Sequence, residues 1–223
     1  MSRRRELAIA VPVKDLGEAK HRLEAALAGE ARHRLAAAML EDVLDALAEA
    51  AVGEVWLVTR DPEALALAAA RGLTCLTESA NRGHTAAVAL AQAEAARRGF
   101  GRFLTVPGDV PCVSAAELRR LAGALGAGPG VAFTPSRSGL GTNGALLAPP
   151  DAMPLTFGEP SFANHLAAAR ARGFEPAVVE LPGLGLDVDV PDDLAVLLER
   201  GPHTRAGALV RRLGQEPRPA ARA

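Results

Sequence analysis

The sequence predicts a three-layer α/β fold in which a mixed, mostly parallel sheet carries helices on both faces. Short apolar runs alternate with helical stripes through the first half of the chain, and those runs are continuous, as strands buried on both faces require. At 223 residues the chain is long enough for one well-buried core. A single domain is expected over residues 1–201. Residues 202–223 read as a partly frayed C-terminal tail, because regular apolar patterning fades after Gly201 and prolines 217 and 219 interrupt the end.

Leu7 to Val13 opens the sheet as an apolar run interrupted only by Pro12, and the loop Lys14 to Lys20 follows. Arg32 to Ala51 sets Leu35, Met39, Val43 and Leu47 on one helical stripe, and Glu54 to Thr59 reads as the second strand. Asp61-Pro62 starts a helix that runs through Arg71. Gly72 ends it before a short strand, Leu73 to Leu76. Thr85 to Arg98 is an alanine-rich helix and Phe103 to Val106 a buried strand, completing a Rossmann-like alternation. After a helix at Ser114 to Leu125, Val131 to Pro135 and Ala145 to Leu147 flank the polar, glycine-rich segment Ser136 to Gly144, which reads as an antiparallel insertion. A helix at Phe162 to Arg172, a strand at Glu175 to Leu181, a short strand or extended segment at Leu186 to Val190, and a helix at Pro191 to Arg200 complete the order.

With 25 basic and 26 acidic residues the net charge is -1, so the chain lacks the footprint of a nucleic-acid binder and any phosphate recognition must be local. Cys75 and Cys112 have neither CxxC nor histidine spacing and read as plain buried thiols. The basic start, Met1 to Arg5, precedes an apolar run too short for a signal peptide or a membrane span, so a cytoplasmic protein without a membrane partner is expected.

Thr105-Val106-Pro107-Gly108-Asp109-Val110-Pro111 sets a carboxylate at the end of a buried strand, on the sheet edge where open α/β folds bind ligands. Asp109 suits either a divalent cation held against phosphate oxygens or a turn before the helix at Ser114. Lys14, Lys20 and Arg22 follow the first strand and either reach the same edge or form a solvated face. Neither GxxxxGK[ST] nor GxGxxG is present. Leu186-Asp187-Val188-Asp189-Val190-Pro191 alternates so that Asp187 and Asp189 share a face opposite Val188. Two such carboxylates repel unless a cation lies between them. Magnesium or manganese, bridging them with Asp109, would serve; a helix cap before Pro191 is the other reading of Asp189.

Gly139 to Gly144 offers backbone amides with the Thr142 and Asn143 side chains to an anion. Ser161 either begins a helix whose amides receive a phosphate or carboxylate, or simply caps it. Asn81-Arg82-Gly83-His84-Thr85 starts another helix at the same edge, near a nucleotide. His84 reads as a turn or capping histidine, and His21, His33, His165 and His203 as ordinary helix or tail residues.

In chain order, Val11-Pro12-Val13-Lys14, Ala19-Lys20-His21-Arg22-Leu23, Pro107-Gly108-Asp109-Val110-Pro111, Gly141-Thr142-Asn143, Phe157-Gly158-Glu159-Pro160-Ser161-Phe162 and Leu186-Asp187-Val188-Asp189-Val190-Pro191 resemble the phospholactate guanylyltransferase family of coenzyme F-420 biosynthesis. The resemblance runs from Leu7 to about Leu198. It implies a GT-A-like nucleotidyltransferase fold. The implied reaction moves GMP from GTP to 2-phospholactate, phosphoenolpyruvate or 3-phosphoglycerate and releases pyrophosphate. Carried over by position, Asp109, Asp187 and Asp189 become carboxylates for Mg2+ or Mn2+. Thr142, Gly158 and Ser161, with Asn143, become the phospho-acid site, while Lys14, Lys20 and Arg22 face the triphosphate. Asp109, Lys14 and Lys20 are the implied catalytic group.

In-line attack by an already ionised phosphate needs charge neutralisation and positioning more than a base, which agrees with these residue types. A bacterial variant using phosphoenolpyruvate or 3-phosphoglycerate is as compatible as one using phospholactate. One departure bears on base choice: the family carries a Leu-Asn start to the third helix, whereas this chain reads Arg82-Gly83-His84-Thr85-Ala86. The rivals are another nucleotidyl- or glycosyltransferase of the same fold and a non-catalytic nucleotide-binding protein. The molybdopterin type resembles a Gly-rich LxxGxSxRMG segment that is missing between Val11 and Leu23. Three like charges kept together speak against a non-catalytic relative. A homodimer is expected only on the base rate for soluble enzymes.

Overall fold

The computed structural model describes residues 6–17, 20–77 and 82–215. Its framework is a seven-stranded sheet in the order β3-β2-β1-β4-β6-β5-β7, made of β1 (Leu7–Pro12), β2 (Glu54–Val58), β3 (Thr74–Leu76), β4 (Arg102–Thr105), β5 (Gly130–Pro135), β6 (Thr142–Ala148) and β7 (Ala177–Val178). Strands β1, β2, β3 and β4 pair in parallel, β5 pairs in parallel with β7, and β6 runs antiparallel to both of its neighbours. The mixed, mostly parallel sheet read from the sequence is therefore present, including the antiparallel insertion.

Every residue of β1 is buried, and its side chains divide by parity. Leu7, Ile9 and Val11 join one core, Ala8 and Ala10 the other. Helices α1 (Gly29–Ala50), α2 (Pro62–Ala70) and α4 (Ala115–Ala122) cover the first face; α3 (His84–Arg97) and α5 (Ser161–Arg170) cover the second. The local start signals are used as written. Asp61 caps α2 by accepting the Ala64 amide at 2.8 Å ahead of Pro62. Ser114 and Glu117 form a capping box at α4, so Asp109 is not that helix's cap.

Three elements differ from the sequence reading. The strand expected at Glu175 to Leu181 shrinks to Ala177–Val178 at the sheet edge. Leu186 to Val190 is extended but makes no ladder; its one backbone tie to the sheet's carboxyl edge is the Val188 amide donating to the Asp109 carbonyl at 3.1 Å. Strand β6 begins at Thr142, not Ala145, because its ladder with β5 continues through Gly144 to Thr142 in the glycine-rich segment, whereas the ladder with β4 stops at Ala145.

A fourth difference lies within residues 202–215, where a tail was expected and a helix forms. After α6 (Pro191–Arg200) the chain forms α7 (Arg205–Gln215), which buries Ala206, Leu209 and Val210 in a third core with Leu23, Leu35, Met39, Val188 and Leu197. Its first amides, those of Arg205 and Ala206, donate to the Asp42 carboxylate of α1 at 2.9 and 3.0 Å. That cap lies 163 positions upstream of Arg205, where a local pattern search does not look. Residues 216–223, for which fraying was expected, lie outside the described residues. Among the described residues no helix is long and apolar enough to cross a membrane.

Leu209 is 4% exposed in the third core. Leu209→Ala is expected to cost about 2–4 kcal/mol in urea unfolding through the lost burial and the cavity left behind. Arg212→Ala on the exposed face of the same helix is expected to cost under about 0.5 kcal/mol.

Candidate active site

At the carboxyl ends of β1 and β4 a cavity of about 530 Å³ opens between the loop after β1, the turn after β4 and the start of α3. Lys14, Lys20, Arg22, His84, Asp109 and Asp189 line it, with Met39 and Leu40 of α1 among its apolar contacts. The parallel pairing of β1 with β4 is what brings the Lys14 and Asp109 loops to one edge.

The Lys20 ammonium lies 2.5 Å from Asp109 Oδ2 and 2.6 Å from Asp189 Oδ1, with its side chain only 7% exposed. Burial opposes its charge, but the two carboxylates and their hydrogen bonds outweigh burial and raise its pKa. Burial likewise disfavours ionised Asp109, and Lys20 overrides it, holding the carboxyl below its ordinary range. Lys20 sits in the left-handed region, φ 62° and ψ 38°, unusual for a residue with a side chain. The loop that carries it is pinned at Leu16, whose amide donates at 3.0 Å to the same Asp61 that caps α2.

Asp189 is not a cap for α6 either. Asp193, one turn into that helix, accepts the Asp189 and Val190 amides at 2.9 Å each and pairs with Arg137 from the glycine-rich turn. Burial works against the Asp193 charge, but these donors hold its carboxyl below the usual range. Asp187 Oδ1 receives the Asn143 side-chain amide at 3.1 Å, and that amide also donates to the Leu184 carbonyl. Asn143, expected to bind substrate, thus spends its donor group orienting Asp187. Burial raises the Asp187 pKa, and the nearby charges of Asp109 and Asp189 add to the rise.

Thr142, Gly158 and Ser161 are not among the residues that line the cavity. Thr142 and Ser161 meet directly: the Thr142 amide donates to Ser161 Oγ at 3.0 Å. Ser161 is the first residue of α5, whose N-cap position is Pro160, so it is not the cap. Gly158 has φ 115°, a conformation that L side chains rarely adopt. The preceding residue, Phe157, ties this loop to α3, since its amide donates to Thr85 Oγ1 at 2.9 Å and its ring meets His84 edge-on at 4.4 Å. Burial depresses His84 to about 4, with Asp109 opposing and Lys14 assisting, so it is neutral near pH 7.

His165 was read as an ordinary helix residue, yet it is 2% exposed and bonded to Thr142 Oγ1 through Nδ1 at 2.9 Å. The signal was available: Ser161 and His165 stand four apart on one helical face. Arg137 and Asp193 were missed because their partnership joins residues 56 positions apart.

Among the described residues no group of three or more His, Cys, Asp or Glu side chains is placed to hold a metal ion by itself. The carboxylates nonetheless suit a hard cation, since magnesium commonly takes one or two carboxylates and completes its shell with other oxygens and water. Asp109 Oδ1 is buried and accepts no hydrogen bond from another described residue.

The family described as guanylyl transferase, CofC like, matches residues 7–222. A phosphoenolpyruvate guanylyltransferase from Sphaerobacter thermophilus is 42% identical over 193 residues, covering 86% of this chain and 92% of that protein. A 2-phospho-L-lactate guanylyltransferase from Methanothermobacter thermautotrophicus is 33% identical and covers 91% and 89%. In fold, the chain is similar to a putative nucleotide-diphospho-sugar transferase from Desulfovibrio desulfuricans G20, with a TM-score of 0.77 at 17% identity over 95% and 96% of the two chains. It is also similar to a CMP:2-keto-3-deoxy-manno-octonic acid synthetase, with a TM-score of 0.56 at 14% identity over 95% and 100%. With nearly its whole length matched, the chain belongs to the CofC-like guanylyl transferase family.

Proposed function

We propose that this protein transfers the GMP unit of GTP to phosphoenolpyruvate, releasing pyrophosphate, as a guanylyltransferase of coenzyme F-420 biosynthesis. The observation that carries the reading is the Lys20–Asp109–Asp189 cluster in the cavity lining, within a chain most of whose length matches phosphoenolpyruvate guanylyltransferases. A phosphate oxygen of the acid attacks the α-phosphorus of GTP, and the bond from that phosphorus to the α,β-bridging oxygen breaks. Pyrophosphate leaves with the electron pair. The attacking phosphate is already ionised, so the chain needs no general base.

Lys14 and Arg22, exposed and lining the cavity, supply positive charge to the triphosphate and the departing pyrophosphate. Lys20 holds Asp109 and Asp189 in register until the substrates arrive. Thr142, Gly158 and Ser161 receive the phospho-acid. Asp109, with Asp187 and Asp189, would hold Mg2+ or Mn2+, which when bound neutralises phosphate charge. Asn143 and Asp193 fix the orientation of that acidic segment.

Purified protein with GTP, magnesium and phosphoenolpyruvate is expected to release pyrophosphate, and 2-phospholactate, 3-phosphoglycerate, ATP and CTP serve as comparisons. Asp109→Asn is expected to lower kcat/KM by about a hundredfold or more. Release that is unaffected by this substitution would overturn the reading of the site. A second outcome concerns Lys20. Because Asp109 has a depressed pKa in the folded state, the stability it contributes is present above the ordinary carboxylate value of 3.8 and is lost as pH falls through the folded value. Lys20→Met is expected to lower the thermal midpoint at neutral pH, with the gap from wild type closing under acid. A gap of equal size at neutral and acid pH would mean that Lys20 contributes packing and not charge.

A further inference from the structure

Thr156 donates its backbone N–H to His165 Nε2 at 3.0 Å. That nitrogen is therefore a lone-pair acceptor, and a neutral imidazole carrying its lone pair there has its proton on Nδ1. The Nδ1–H points at Thr142 Oγ1, 2.9 Å away, and makes the threonine oxygen an acceptor. The opposite tautomer would set two donors, the Thr156 amide and Nε2–H, against each other. The ring is fixed as well, stacked on Phe133 at 5.3 Å and 11° and edge-on to Phe157 at 5.3 Å and 72°.

Thr142 Oγ1 also receives the Ser161 hydroxyl at 3.4 Å, while Ser161 Oγ accepts the Thr142 amide. Both lone pairs of the threonine oxygen are then in use, and its hydrogen cannot turn toward His165. What remains is a donor. We propose that His165 is a positioning residue of the phospho-acid site, compelling Thr142 to present its hydroxyl hydrogen to an anionic oxygen of the bound acid. This rests on the reading of Thr142 and Ser161 as ligands of the acid. A histidine able to donate and accept interchangeably would leave the Thr142 hydroxyl free to rotate and present a lone pair, which repels an anion.

Burial lowers His165 to about 4 from the ordinary 6.5. The groups against it are Thr142 and Phe133 from the β5–β6 hairpin, Thr156 and Phe157 from the preceding loop, and Ser161 from its own helix, none of which titrates between those values. The neutral form, and with it the donor role of Thr142, therefore persists across that window.

The test uses the full-length enzyme with saturating GTP, magnesium and varied phosphoenolpyruvate. His165→Leu removes the donor and is expected to raise the KM for phosphoenolpyruvate about tenfold or more, with the KM for GTP unchanged. His165→Asn places an amide nitrogen where Nδ1 stood and is expected to keep the wild-type KM. His165→Gln places its nitrogen where Nε2 stood and is expected to behave like His165→Leu. Thr142→Val is expected to raise the same KM, and Thr142→Val with His165→Leu to raise it no further than the larger single change. In histidine-15N-labelled protein the nitrogen pattern at neutral pH is expected to be that of the Nδ1–H tautomer.

An unchanged KM in His165→Leu, equal losses in the Asn and Gln variants, additive effects in the double variant, or the Nε2–H pattern would each overturn the proposal. If His165→Leu fails to fold, the Asn and Gln pair decides alone. If Thr142→Val leaves the KM unchanged, the assignment of Thr142 to the acid falls and the proposal with it. If Thr142→Val raises the KM and the histidine variants do not, that assignment stands and only the proposal fails.

Discussion

Mutual repulsion among carboxylates at one sheet edge is the constraint around which the rest of this structure is organised. Asp187 lies close enough to Asp109 and Asp189 for their charges to raise its pKa, and such like charges, left alone, spread apart or take up protons. Lys20 answers that by placing a nearly buried ammonium between Asp109 and Asp189. Asn143 answers it for Asp187, with a neutral donor in place of a second cation. The unequal treatment leaves Asp109 depressed and Asp187 raised, so the two acids differ in their readiness to share a further positive charge.

Strand direction explains how these groups meet. Parallel strands β1 and β4 end at the same edge and deliver the Lys14 to Lys20 loop and the Asp109 turn. The antiparallel β6 runs the other way, so it begins at that edge and brings Thr142 and Asn143 with its first residues. One reversed strand thus adds polar side chains to an edge that a purely parallel sheet would furnish only with strand ends. The loop before α5 closes the arrangement through Phe157, which touches His84 on one side and His165 on the other.

Packing behind the site matters as much as charge within it. Leu23, beside the Lys20 loop, and Val188, between the two aspartates, both bury into the third core, which α6 and α7 complete. Val188 is fully buried while Asp187 and Asp189 stay partly exposed, so one apolar side chain anchors the acidic segment. The C-terminal helix therefore supports the cavity edge from the far side, held there by the cap that Asp42 provides.

The sequence by itself determined the alternation of strands and helices, the burial of β1 and β4, the caps at Asp61 and Ser114, and the placing of Asp187 and Asp189 on one face of an extended segment. Each of those depends on neighbours within a few positions, which is the range over which periodicity and capping chemistry act. Helix α7 was not read from the sequence, and its anchor at Asp42 lies too far upstream for any local pattern to show. Only the tertiary structure decided that Lys20 would lie between two aspartates, that Asn143 would serve Asp187, and that His165 would be locked against Thr142. Those pairs are separated by 89 and 169, 44, and 23 residues, and a hydrogen bond across such distances exists only once the sheet has brought its partners together.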